Sequence, residues 1–232
     1  MSIGIIILIG TTILIFSGLS QRALDRLRLN DKQALLVVIS IIFSTFFLPD
    51  IKITDLVYIN IGGAIIPLIL VLYLFIKAGT KKEKLRAIVG GILSGFAIYL
   101  AGKILSGKPE SFLFDLNILY GITGGIIAYI LGRSRRSAFI AGVLGVIFSD
   151  IIQFILNIYR GYNVPVFFGG AGAFDSTILA GVSALFLAET IGEFREKIQG
   201  GTNKKDMKFE GGEFTNILDE RVKIKRDDEN EK

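Results

Sequence analysis

Apolar residues fill the first 192 positions in seven blocks, at approximately 3–20, 34–49, 56–78, 85–105, 112–132, 137–159 and 165–192, with short charged breaks between them. Most blocks reach the ~20 residues that carry an α-helix across ~30 Å of hydrocarbon. Their repetition predicts an all-α, polytopic transmembrane helical bundle of about seven spans. The second block is short and closes at Pro49, so it predicts a thin span or a re-entrant segment. The first block has no basic region before it and no obvious small-residue cleavage site, and it is expected to remain as a span. After about residue 193 the chain turns to Glu, Lys, Asp, Gly and Asn. Such composition predicts a flexible charged cytosolic tail over 193–232 behind a transmembrane domain over 1–192, with at most a brief helix from Phe214 to Val222.

Charge orients the bundle. The breaks after blocks one, three and five hold Arg22, Arg26, Arg28 and Lys32, then Lys77, Lys81, Lys82, Lys84 and Arg86, then Arg133, Arg135 and Arg136; those after blocks two, four and six hold only Lys52, Lys103, Lys108 and Arg160. Short cytoplasmic loops carry the Lys and Arg excess, which predicts the N-terminus outside, the C-terminus inside and a multi-pass location in the cell membrane. The net charge of +5 is thus read as topology rather than nucleic-acid affinity, and the lipid bilayer is the expected partner. The pattern sets no oligomeric state. With no Cys and no His in the chain, there is no thiolate nucleophile, disulfide framework, Ser-His-Asp triad or His-based zinc site, and neither metal nor cofactor is expected. Acid-base chemistry would rest on carboxylates, Lys or Tyr.

Glycines fall within the blocks. Gly91 and Gly95, Gly121 and Gly125, and Ala141 and Gly145 show the small-xxx-small spacing that lets helices approach closely in lipid.

Two aspartates interrupt the apolar sequence, Asp150 in the sixth block and Asp175 in the seventh. Ionisable groups at bilayer depth cost roughly 2.5 to 3.5 kcal/mol on insertion scales, and they normally mark a pathway or a site. Gly142, Gly145, Ser149, Gln153 and Asn157 recur at three- and four-residue spacings beside Asp150, giving that helix a small, polar face. Counted from the two block ends, Asp150 is ~20 Å and Asp175 ~15 Å along antiparallel neighbours, so the carboxyls are expected at similar depth. The run Gly169-Gly170-Ala171-Gly172-Ala173 allows backbone to approach a ligand closely. Carboxyls a few ångströms apart cannot both ionise easily and would share a proton, the working state of an aspartyl peptidase. Asp150 and Asp175 would then be acid and base, Gly170 and Gly172 would shape the approach of a membrane-embedded peptide, and Gln153 would support the pair. The same residues are compatible with an ion or proton pathway, or with neutral aspartates satisfied by their neighbours. A non-catalytic scaffold whose tail recruits a partner is a further reading.

Ser149-Asp150 and Gly170-Ala171-Gly172-Ala173-Phe174-Asp175 resemble the paired motifs of the GxGD intramembrane aspartyl proteases, the group of presenilin and signal peptide peptidase. The resemblance covers blocks six and seven and implies peptide-bond hydrolysis within the membrane. The sequence departs from that pattern in the two residues between Gly172 and Asp175, in Ser149 where Tyr is usual, and in having no proline after Pro165. The whole chain, and Gly169 to Ala188 above all, also resembles a family of bacterial and archaeal membrane proteins whose name records only unknown function.

Overall fold

The computed structural model describes residues 29–105, 116–132, 134–172, 175–198, 207–210 and 213–216. Residues 1–189 form one compact unit and residues 190–232 another. The first expected span, 3–20, lies outside the described residues.

Helix α1 (Asp31–Phe47) opens with a capping box in which the Asn30 side chain accepts from Gln33 N while the Gln33 side chain accepts from Asn30 N. It stops where Pro49 approaches, because the residue before a proline is driven to extended geometry. A hairpin follows, β1 (Ile51–Thr54) and β2 (Val57–Ile59), and then a π-helical turn (Ile61–Ile65) leading into α2 (Ile66–Lys77). Beyond lie α3 (Lys81–Leu105), α4 (Leu116–Gly132), α5 (Arg135–Tyr159), the strand β3 (Val166–Phe168) and α6 (Ser176–Ile198). In the second unit, β4 (Met207–Glu210) and β5 (Glu213–Asn216) pair antiparallel, with Phe209 opposite Phe214.

The chain is thus mostly helical, and among the described residues α3 and α5 are long and apolar enough to cross a membrane. Three expectations are corrected. Blocks three and seven are not helical throughout: β3 pairs parallel with β2, Tyr58 stacking on Phe167 at 4.8 Å between ring centroids. Val-Tyr-Ile and Val-Phe-Phe are β-branched and aromatic runs, and in so short a stretch periodicity cannot separate strand from helix. In the tail, Glu213–Asn216 is a strand where a helix is expected to start, and the rest of that expected helix, 217–222, lies outside the described residues; Phe214 gains a cross-strand partner that a lone turn of helix would lack.

Helix α5 is the axis of the first unit. Its N-terminal half, Ser137 to Ile147, is almost wholly buried, and it packs against α2, α3 and α4. The contact with α3 brings backbone close to backbone. A Cβ on Gly95 would stand 2.7 Å from the Gly145 carbonyl oxygen, and one on Gly145 would stand 2.7 Å from the Ser94 Cβ. Gly121 and Gly125 bring α4 equally near α6 at Leu179 and Ser183. The expected small-residue seams therefore do pack helices.

The surface of α3 reverses the order of a soluble amphipathic helix. Ala87, Gly90, Gly91, Ser94, Gly95, Ile98 and Gly102 face inward, while Leu85, Ile92, Phe96 and Ile104 are exposed. Exposed large apolar residues continue on α1, α2, α4 and α5.

The seam between α3 and α5 gives opposite expectations for two adjacent residues. Gly95→Ala substitutes a better helix former, yet its methyl meets backbone, and overpacking of this kind costs about 1–3 kcal/mol. The buried Ser94 hydroxyl has no hydrogen-bond partner among the described residues, so Ser94→Ala is expected to be neutral or stabilising. Thermal unfolding of both variants in detergent checks the pair; a stabilised Gly95→Ala would show that the seam is loose.

Candidate functional site

The parallel strands β2 and β3 each deliver the chain to the start of a helix, and the two starts cross at glycine. A Cβ on Gly63 would lie 2.1 Å from the Gly169 carbonyl oxygen, so backbone fills the space that any side chain would need. Asn60 terminates β2 by donating its N–H to the Phe168 carbonyl, accepts from Gly63 N at 2.9 Å and donates its amide to Asp50 Oδ1 at 2.7 Å. The equivalent position before α6 is Asp175. Between β3 and this aspartate the chain turns through Gly169 and Gly172, both at positive φ (66° and 59°), a conformation that glycine adopts without steric cost.

Asp175 is the N-cap of α6. Its Oδ1 accepts from Thr177 N at 2.8 Å and from Thr177 Oγ1 at 2.5 Å, its Oδ2 accepts from Ala171 N at 3.2 Å, and the Ser176 side chain also bonds it. Only 7 % of the residue is exposed. A carboxylate here satisfies helix donors that have no partner within the helix and sits favourably at the positive end of the helix dipole.

Asp150 has the opposite surroundings. Among the described residues no hydrogen bond reaches its carboxyl, which opens instead on a cavity of about 350 Å³. Ile98, Tyr99, Gly102 and Lys103 of α3 line one wall, Tyr120 of α4 a second, and Ser149, Asp150, Gln153 and Arg160 the third. The hydroxyl of Tyr120 lies over Gly102, where a Cβ would be 2.6 Å away. Lys103 and Arg160 are exposed and have no carboxylate partner among the described residues. From Asp150 to the end of α5 at Tyr159 is nine residues, ~14 Å of helix.

The expected site is therefore brought together only in part. Asp150 and Asp175 are near enough for their charges to interact, yet no hydrogen bond joins them among the described residues, and Asp175 does not line the cavity. Gln153 lines it but donates to Asn157 Oδ1 at 2.8 Å rather than supporting Asp150. Gly172 packs on Thr45 of α1 and Gly170 lies beside Phe167, so both shape the loop that leads to the cap and neither borders the cavity. From the sequence Lys103 and Arg160 are read only as loop charges, and Tyr99 and Tyr120 carry no assignment. The available signal was Tyr99 and Lys103, four residues apart on one face of the apolar stretch that follows Arg86. Among the described residues no cluster of three or more metal-ligating side chains occurs.

The opposite end of the bundle is tied by charge. Arg135 forms a two-pronged pair with Glu189, while Glu83 accepts from Ser134 Oγ at 2.8 Å and pairs with Arg136, whose guanidinium also donates to the Lys77 carbonyl.

Compared with known proteins, residues 22–187 match a family model described as a protein of unknown function (DUF1614). No curated protein matches the chain, and no solved structure does.

The capping geometry separates two substitutions at Asp175. Asn is as good an N-cap as Asp, so Asp175→Asn is expected to keep most of the stability, whereas Asp175→Ala should lose about 1–2 kcal/mol. Denaturation of both variants in detergent measures the difference; equal losses would show that charge at this position, rather than capping, sets the stability.

Proposed function

The chain belongs to the DUF1614 family, and we propose that this member is a polytopic cell-membrane protein that carries a solute, with Asp150 as its proton- or cation-binding group. The observation behind this reading is the contrast between the aspartates. Asp175 is saturated by donors at a helix start, while Asp150 faces a cavity and accepts no hydrogen bond among the described residues. An ionisable group at membrane depth that the fold does not satisfy is suited to bind and release something.

Membrane insertion is supported by the length and composition of α3 and α5 and by the large apolar side chains that α3 turns outward. A soluble monomer rarely exposes so much contiguous apolar surface. In this reading the seven blocks are spans. The end of the bundle carrying Lys77, Lys81, Lys82, Lys84, Arg86, Arg135 and Arg136 faces the cytoplasm, as does the C-terminus. The cavity then opens outward, and the Arg135–Glu189 and Arg136–Glu83 pairs close the cytoplasmic side.

A second reading, an intramembrane aspartyl peptidase acting on membrane-embedded peptides, draws on the electrostatic interaction of Asp150 with Asp175. It requires both carboxyls, one as base towards water and the other as acid towards the peptide carbonyl. The transport reading requires only Asp150.

Purified chain in liposomes loaded with a pH-sensitive dye, under an imposed potential, distinguishes them. Transport predicts proton or cation flux that Asp150→Asn abolishes and Asp175→Asn leaves largely intact. Cleavage of a transmembrane reporter peptide, lost in either variant, would establish the peptidase instead. Flux undiminished in Asp150→Asn would end the transport reading.

A further inference from the structure

We infer that the Asp150 cavity binds a small zwitterion, with its ammonium end on the Asp150 carboxylate and its carboxylate or phosphate end between Lys103 and Arg160. The inference rests on the transport reading and names the class of solute. Its basis is the order of charge along the cavity. One carboxylate sits on α5 about ten residues, or ~15 Å of helix axis, from Arg160. Lys103, one helical turn beyond Tyr99, supplies the second cation, and both basic side chains are long enough to reach back towards a ligand.

Two cations without a carboxylate partner among the described residues disfavour a bare metal cation as the occupant, because like charges lining one cavity repel it. They equally favour an anionic group, and Arg160 can hold a carboxylate or phosphate through two parallel hydrogen bonds. An anion alone would leave Asp150 unpaired at membrane depth, which is costly. A ligand carrying both charges answers both demands. Tyr99 and Tyr120 line the cavity, where aromatic rings are suited to an ammonium group, and the Tyr120 side chain is near enough to Asp150 for the two to interact electrostatically. Of the lining residues only Ile98 is an aliphatic side chain, and a volume of about 350 Å³ lies at the low end for small-molecule sites, which suits a compact polar molecule better than an acyl chain.

The chemistry is shared by free amino acids and by the ethanolamine phosphate head of a lipid, and the experiment separates these sources. Full-length chain in phosphatidylglycerol nanodiscs, whose lipid head carries no ammonium, is tested for binding of radiolabelled β-alanine and phosphoethanolamine, with propylamine and propionate as single-charge competitors. At least one zwitterion is expected to bind, and each single-charge compound should compete at least about tenfold more weakly, the equivalent of about 1.4 kcal/mol. Asp150→Asn and the Lys103→Gln, Arg160→Gln double variant should each weaken zwitterion binding by a similar factor. Gly102→Ala, whose methyl would displace the Tyr120 hydroxyl, should weaken it without altering any charge. Competition by phosphatidylethanolamine added to the nanodiscs identifies the lipid head as the source; lack of competition identifies the free solute. Propionate or propylamine binding as tightly as the zwitterions overturns the inference. So does failure of both zwitterions to bind a chain that still shows Asp150-dependent flux, a result that leaves the transport reading standing.

Discussion

The structure depends on how closely α3 can approach α5. At Gly95 and Gly145 the two backbones come within a distance that admits no side chain, so the inner face of α3 must be small. The residues that supply apolar area are then left on its outer face, where Leu85, Ile92, Phe96 and Ile104 are exposed. In water this arrangement would be unfavourable, since burying large apolar side chains contributes about 1.5–3 kcal/mol each and here that area stays outside. In lipid the tails take over that role, and what distinguishes a good interface is close van der Waals packing. One local constraint thus accounts for both the interior and the surface of the bundle.

The same seam has a consequence at its far end. Along α3 the inward face runs from small residues at Gly91 and Gly95 to Ile98 and Gly102, which border the cavity with Tyr99 and Lys103 beside them. Where the inner faces are small the helices touch; where α3 and α4 contribute Tyr99 and Tyr120, the cavity opens beside α5. Asp150 sits one residue beyond Ser149, next to the last of the close contacts, so its carboxyl meets space rather than a neighbouring backbone.

Much of this was legible in the sequence. The spacing of small residues at 91 and 95, 121 and 125, and 141 and 145 locates helix contacts because the period of a helix face is fixed by its geometry. The polar stripe of Ser149, Gln153 and Asn157 beside Asp150 was legible for the same reason. The start of α6 was legible in principle too: Asp-Ser-Thr ahead of an apolar run is a helix-start signal, and it already offers a capping role for Asp175. The apolar character of Val166 to Phe168 concealed it, because hydropathy alone merges a strand, a glycine turn and a helix into one block. Tyr120, Lys103 and Arg160 could not be joined to Asp150 from sequence, since they come from different turns of three helices and only packing decides which faces meet.

The two aspartates show why burial alone is a poor guide to function. Both lie in apolar sequence, and Asp175 is the more deeply buried. Its carboxyl, however, accepts from Thr177 N, Thr177 Oγ1 and Ala171 N, so the fold itself accounts for an acid at that position. Among the described residues no hydrogen bond reaches the Asp150 carboxyl, and it shares its cavity with two phenols, two cations, the Ser149 hydroxyl and the Gln153 amide. A fold that needed only a packed bundle would be served as well by an apolar residue there. An ionisable side chain there costs the bundle more than an apolar one would, and the proposed solute-binding role is what would offset that cost.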